Sequence, residues 1–208
     1  MLKVLALIAL GYLMGSIPVG WLVVKVYRNL DVRRLGSGNI GAANVYRAGG
    51  LGTFAVTAIL DGIKGAIPVA VAVLLHRPSD PPFIPALVGL AAVAGHNWPL
   101  FLRFRGGKGV ATSGGVILVL APVALVCSVA AWLFVIRLTR VASLSSLVAV
   151  GVGLLTVGLL AATGLAAPYR VGWSVLVLGL VLVGLVILRH RGNIVRLATG
   201  RELKITAT

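Results

Sequence analysis

Long apolar runs make up most of the chain, and short stretches rich in cations and glycine separate them. The runs cover residues 2–24, 53–75, 83–101, 110–136, 141–165 and 171–188. Several reach about 20 residues, the length a helix needs to cross a hydrocarbon core of roughly 30 Å. The first is interrupted by GSIPVG at residues 15–20. A proline there kinks a spanning helix and frees backbone carbonyls, which is tolerated where the kink faces protein or a polar cavity. The first run follows a single Lys3, lacks a small-residue cleavage site and is followed by more spans, so it reads as a retained helix.

Segmentation after residue 110 follows from parity. The basic stretches 25–34, 103–108 and 189–203 have similar cation density. If all lie on one side, an even number of crossings separates Lys108 from Arg189. Three plain spans break that rule, whereas a break at Pro122 splits 110–136 and makes four. Fifteen cations then face inward against Lys3, Arg77 and Arg170 outside, with Lys64 inside a span. That is a strong positive-inside bias. The expected fold is an all-α polytopic membrane protein: one compact bundle of about seven transmembrane helices, some short or broken. Its N-terminus is outside and its C-terminus inside. Ala142 and Thr206 then face the cytoplasm, and Ser79 and Pro168 face outward.

Composition agrees, with 59% hydrophobic and 11% charged residues and a mean hydropathy of +1.07. The net charge of +15 sets 19 basic residues against Asp31, Asp61, Asp80 and Glu202. In a soluble protein that imbalance suggests nucleic acid. Here the cations sit in short loops, so topology and anionic ligands account for them and no nucleic-acid partner is expected. Cys127 stands alone in an apolar run, which excludes a disulfide framework. His76, His96 and His190 are far apart and lack metal-ligand spacing, so no metal is expected.

The candidate chemistry centres on GHNWPLFLRFRGGKGVAT, residues 95–112, where three glycines surround Lys108. Glycines let a backbone approach a ligand and turn successive N–H groups into an anion-binding concavity. A nucleotide P-loop is excluded, because Leu102 and Gly109 stand where that motif needs Gly and Ser or Thr. A second long loop, residues 35–52, is too long for a plain turn and carries Ser37, Asn39, Asn44 and Arg47. Within the span 53–75, Asp61 and Lys64 are three apart and share a helix face. Ionisable groups in a span tend to face cavities, so the pair is expected to do so, with Lys64 a candidate for ligand contact. His76 and Trp98 read as interfacial residues.

GSGNIGAANVYR (36–47), the central stretch and the tail RHRGNIVRLATGRE resemble, in order, the three motifs of the acyl-phosphate:glycerol-3-phosphate acyltransferases, the PlsY family. GSIPVG and DGIKG match as well. The resemblance implies a single integral-membrane domain over 1–208 with three cytoplasmic motif loops (35–52, 95–112, 189–203). It implies a bacterial inner-membrane acyltransferase that moves a fatty acyl group from acyl phosphate to the sn-1 hydroxyl of glycerol 3-phosphate, giving lysophosphatidic acid and phosphate. Membrane lipids surround it, and no acyl-carrier protein, coenzyme A, metal, other cofactor or obligate protein partner is implied. One departure stands out: the family has Thr where this chain has Ala43, which removes a hydroxyl that Ser37 or Asn44 would have to replace.

With two phosphorylated substrates and an activated acyl donor, no protein nucleophile is needed. Lys108 and Arg47 are the expected catalytic cations. His96 is either a base or a residue that shapes the loop. Ser37, Asn39, Asn44 and the amides of Gly106, Gly107 and Gly109 are expected to place the phosphates. His190 and Asn193 close the site from the tail, with Lys64, Thr112 and Ser143 as further candidates. The rival class is a transporter or channel for a phosphorylated anionic solute. Against it, the polar residues cluster on one face and no inverted repeat is evident.

Overall fold

The computed structural model describes residues 1–164 and 172–205, and every regular element among them is helical. Pro168, Arg170 and Thr206, for which sides were expected, lie outside the described residues. Nine α-helices follow one another among the described residues: α1 Leu2–Ser16, α2 Val19–Arg28, α3 Ala42–Leu74, α4 Ile84–Asn97, α5 Val110–Leu120, α6 Pro122–Thr139, α7 Ala142–Thr163, α8 Trp173–Arg189 and α9 Arg191–Ala198. Short 3₁₀ turns stand at Val32–Arg34 and Leu100–Leu102.

The prolines set the breaks. Pro18 has no N–H to continue α1, so the chain turns at Ile17 and restarts as α2. Pro122 takes the first position of α6, where the missing N–H costs nothing. The break expected there is present. Among the described residues five spans are long and apolar enough to cross a membrane, Leu2–Arg28 (α1 with α2), α3, Ile84–Leu102 (α4 with its 3₁₀ turn), α6 and α7, and α8 with α9, bent by 62°, makes a sixth if taken as one span. α5 has 11 residues, roughly 17 Å at 1.5 Å per residue, so it is shorter than a hydrocarbon core.

Small residues let the helices approach. Gly15 of α1 meets the backbone of Ala92 in α4, and Gly95 of α4 meets that of Tyr12. Gly65 of α3 sits on the carbonyl of Thr112, and Gly115 of α5 on that of Gly62. A Cβ at any of these would collide with main chain, so close backbone packing, which lipid cannot supply, depends on them. Val69, Val93, Val116, Leu178 and Leu182 form the buried centre between α3, α4, α5 and α8. The outer faces stay apolar and exposed, above all on α6, where Ala124 is the buried residue and Val126, Leu133 and Phe134 face out. Such faces suit lipid.

The bundle has two distinct ends. At one, Lys3 pairs with Asp80 at 2.6 Å and reaches the carbonyl of Leu75, joining the chain start to the α3–α4 turn. At the other, Lys108 meets Asn193, Ser143 meets Glu202, and the Ile205 amide donates to Arg140 at 2.7 Å. The first motif, the glycine loop, the α6–α7 turn and the tail therefore share one end.

The segments expected as loops are only partly loops. Ala42–Gly49 is the first part of α3, because alanines after Gly41 favour helix. Gly50, at φ 80°, then bends it, with Thr53 Oγ1 taking up the carbonyls of Val45 and Gly50. In the tail, residues 191–198 form α9. In the central stretch only residues 98–109 lie between α4 and α5, and they include one 3₁₀ turn.

Candidate active site

A cavity of about 720 Å³ opens at the motif end and runs inward between α3, α5, α6, α7 and α8. Its mouth is polar, with Ser37, Asn39, Arg47, Lys108, Ser143, His190, Asn193 and Glu202. Its interior is apolar, with Ile59, Ile63, Leu118, Val129, Leu154, Val157 and Leu182. A volume of this order is that of a small-molecule site. The shape suits an amphiphile whose head is anionic and whose tail is a hydrocarbon chain.

The mouth is built from backbone turns outward. Asn44 is almost wholly buried, and its amide reaches the carbonyls of Val32, Leu35 and Asn39 while its Oδ1 accepts from Ser37 N at 2.9 Å. It organises the first motif and has little left for a ligand, so Ser37 rather than Asn44 can replace the hydroxyl lost at Ala43. Asn39 accepts from Gly41 N and donates to Gly106 O at 3.3 Å, tying this motif to the glycine loop. Arg189 clamps that loop from α8, donating to the carbonyls of Gly107 and Gly106 at 3.0 Å each, with its guanidinium over the Trp98 ring at 5.6 Å.

Gly109, at φ 81°, turns the loop into α5 so that the first residues of that helix line the cavity. The first N–H groups of a helix have no intrahelical partner and carry a partial positive charge, so this end offers an anion site. Lys108 Nζ lies beside it and donates to Asn193 Oδ1. Burial lowers the Lys108 pKa to about 8; the guanidiniums of Arg196, Arg47 and Arg189 add to this, while Glu202 opposes it. Arg47 reaches in from α3 and donates to Leu203 O at 3.2 Å. His190 Nδ1 is held by Val186 O at 2.8 Å, and the residue lines the cavity.

Glu202 gathers the tail. Its carboxylate accepts from Asn193 Nδ2, from Ser143 Oγ at 2.9 Å and from Arg196 Nε at 2.8 Å. Burial acts to raise its pKa, but these three hydrogen bonds and the Arg196 charge outweigh burial and hold it below the usual carboxylate range. A carboxylate so satisfied is a poor base, so its contact with Ser143 does not activate that serine as a nucleophile.

Ten sequence-predicted residues line the cavity: Ser37, Asn39, Asn44, Arg47, His96, Lys108, Gly109, Ser143, His190 and Asn193. Four do not. Lys64 turns away, donating to Ile17 O at 2.7 Å and pairing with Asp61 at 2.9 Å; its partner Asp61 lines the cavity instead. Thr112 is consumed by the α3–α5 crossing against Gly65. Gly106 lies on the backbone of His96 and Asn97, and the Gly107 amide already donates to His96 O at 3.0 Å, so it has no proton for a phosphate. Asp61, expected with Lys64 to face a cavity, does so, whereas sequence reasoning did not place Ser113, Trp132 and Glu202 in the site. Glu202 had a signal, being one of only four acidic residues. Trp132, stacked on Phe54 at 5.9 Å and bonded to Ser146, had none, since it sits in an ordinary apolar run.

Comparison with known proteins agrees with this geometry. The family model described as glycerol-3-phosphate acyltransferase matches residues 5–200. A glycerol-3-phosphate acyltransferase of Myxococcus xanthus (strain DK1622) is 48% identical over 197 residues, covering 95% of this chain and 97% of that protein. One from Desulforudis audaxviator (strain MP104C) is 42% identical over 205 residues, covering 99% and 97%. The crystal structure of PlsY (YgiH), an integral membrane glycerol 3-phosphate acyltransferase, superimposes in its glycerol 3-phosphate form with a TM-score of 0.86 at 38% identity, over 97% of this chain and 95% of that one. Its lysophosphatidic acid form gives 0.84 at 37% identity. These likenesses decide for an enzyme over a transporter: the chain is a multi-pass integral membrane protein and belongs to the glycerol-3-phosphate acyltransferase family.

Proposed function

We propose that this protein takes the acyl group from acyl phosphate and places it on the sn-1 hydroxyl of glycerol 3-phosphate, giving lysophosphatidic acid and inorganic phosphate. The observation that carries this reading is the cavity itself, with cations and a helix N-terminus at its mouth and an apolar interior for the chain. The glycerol hydroxyl oxygen attacks the acyl carbon, the carbon–oxygen bond to phosphate breaks, and the phosphate leaves with that electron pair. The hydroxyl proton passes to a phosphate oxygen. Lys108 and Arg47 stabilise the developing oxyanion and the departing phosphate, and Ser37, Asn39, Ser143, His190 and Asn193 orient the two substrates. The purified enzyme in detergent should form lysophosphatidic acid from acyl phosphate and not from acyl-coenzyme A or acyl-carrier protein. Equal use of a thioester donor would defeat the assignment.

The Lys108 charge predicts a pH dependence. A lysine with a pKa of about 8 is cationic below that value and loses its charge above it. kcat/KM, which follows the free enzyme, should be level below pH 8 and fall above it. Lys108→Arg should shift the falling limb to higher pH, because a guanidinium stays charged. An unshifted limb in that variant would assign the titration to another group.

The motif end is proposed to face the cytoplasm of the bacterial inner membrane, because the cations concentrate there. Seven membrane-embedded segments, with α5 as the short one, then leave the N-terminus outside and the C-terminus inside. In intact cells of a Cys127→Ala background, a cysteine at Ser79 should react with an impermeant reagent and one at Ala142 should not. The opposite pattern would invert the topology.

A further inference from the structure

Three ionisable residues meet inside the bundle, below the cations of the mouth and lining the same cavity through Asp61 and His96. Asp61 and Lys64 of α3 and His96 of α4 are each at least 96% buried by relative exposure, at 2%, 4% and 4%. Asp61 Oδ1 lies 2.9 Å from Lys64 Nζ and 3.4 Å from His96 Nδ1. Lys64 also donates to Ile17 O, a carbonyl at the α1–α2 break. Neutralising each other explains why Asp61 and Lys64 occur together, but it does not explain the histidine.

Both ring nitrogens of the histidine have a close neighbour. Nδ1 faces Asp61, and Nε2 lies against Gly107, where a Cβ would run into it. The His96 carbonyl meanwhile accepts the Gly107 amide at 3.0 Å. Gly107 is therefore fixed through main chain and ring by one residue, and the next residue is Lys108. Asp61 and His96 both line the cavity, so this contact is continuous with the site.

We infer that Asp61 is a positioning residue for the reaction: it holds the His96 imidazole against Gly107 and so sets where Lys108 presents its charge. This rests on the reading of Lys108 as the phosphate-binding cation. A displacement of that charge by about 1 Å is enough to cost a large factor in rate. A second reading, in which Asp61 merely neutralises Lys64, makes a different prediction, because a buried ion pair can be replaced by neutral groups without loss of stability.

The test is Asp61→Asn/Lys64→Met, which removes both charges together, and it therefore avoids the misfolding that Asp61→Asn alone invites. Its thermal midpoint in detergent should stay within a few degrees of the parent. Its kcat should fall on the order of tenfold, with KM for glycerol 3-phosphate changed less. In a His96→Ala background the same double change should cost less than a factor of two, since residues acting as one unit are not additive. A double variant with parent-like kcat, or a full second loss on top of His96→Ala, would overturn the inference. Lys108→Ala, assayed alongside, separates the premises: if that variant keeps parent activity, the reading of the site fails. If it is inactive while the double variant is parent-like, only the positioning role fails.

Discussion

Lys108→Ala and Arg47→Ala are each expected to lower kcat/KM by about 10²–10³-fold, the loss typical when one donor to a developing oxyanion is removed. His96→Ala should cost less, on the order of tenfold, the price of a loosened loop. The ordering follows from what each side chain touches. Lys108 stands just before the N-terminus of α5 and Arg47 enters the same mouth from α3, so both place positive charge where the proposed reaction would bring two phosphates together. His96 has its ring between Asp61 and Gly107 and acts on the backbone. A general base is worth about 10²–10⁴-fold, so a histidine in that role would show a loss at least equal to that of the cations. Initial rates with folded, monodisperse variants decide it. If His96→Ala proved the most damaging of the three, the imidazole would be a base and proton transfer to phosphate would be wrong.

The parts of this picture that were legible in the sequence are those governed by local chemistry. A proline cannot continue a helix, so the breaks at Pro18 and Pro122 could be read directly. Charge carries side information, and the stretches grouped by their cations do converge at one end of the bundle. The pairing of Asp61 with Lys64 followed from their three-residue spacing. Which of the two faces the cavity did not, because that depends on a carbonyl at Ile17, 47 residues before Lys64. The same holds for the Gly107 amide. A glycine-rich loop shows its capacity to bind anions, but not that one of its protons is already spent on His96 O. Ser143 and Glu202 are 59 residues apart and become partners only when the tail folds back over α7. That Asn44, read as a phosphate-placing side chain, also shapes the backbone that presents Ser37 was not legible either, because its partners are carbonyls and an amide of the folded motif.

Release of phosphate from acyl phosphate should require glycerol 3-phosphate in an all-or-none manner, with no burst when the acceptor is withheld. A covalent route would divide the reaction in two and release one equivalent of phosphate per enzyme before acceptor is added. Among the described residues the geometry offers no activated nucleophile for it. Ser143 is the best placed, but its hydroxyl donates to a carboxylate that Asn193 and Arg196 also satisfy, so that carboxylate will not take its proton. Ser113 lines the cavity with no base among its hydrogen-bond partners, and Ser128 spends its hydroxyl on Ala124 O at 2.8 Å. Cys127, half-buried on α6, is not among the residues lining the cavity. Cys127→Ala should therefore turn over within a few-fold of the parent. Direct attack instead needs both substrates at the mouth together, and the paired cations of Lys108 and Arg47 suit two phosphates better than one. Rapid-quench measurement of phosphate, with and without acceptor, reads the difference in a single turnover. An acyl adduct on Ser143, Ser37 or Cys127, formed with acyl phosphate alone and discharged by glycerol 3-phosphate, would replace direct transfer with a two-step mechanism.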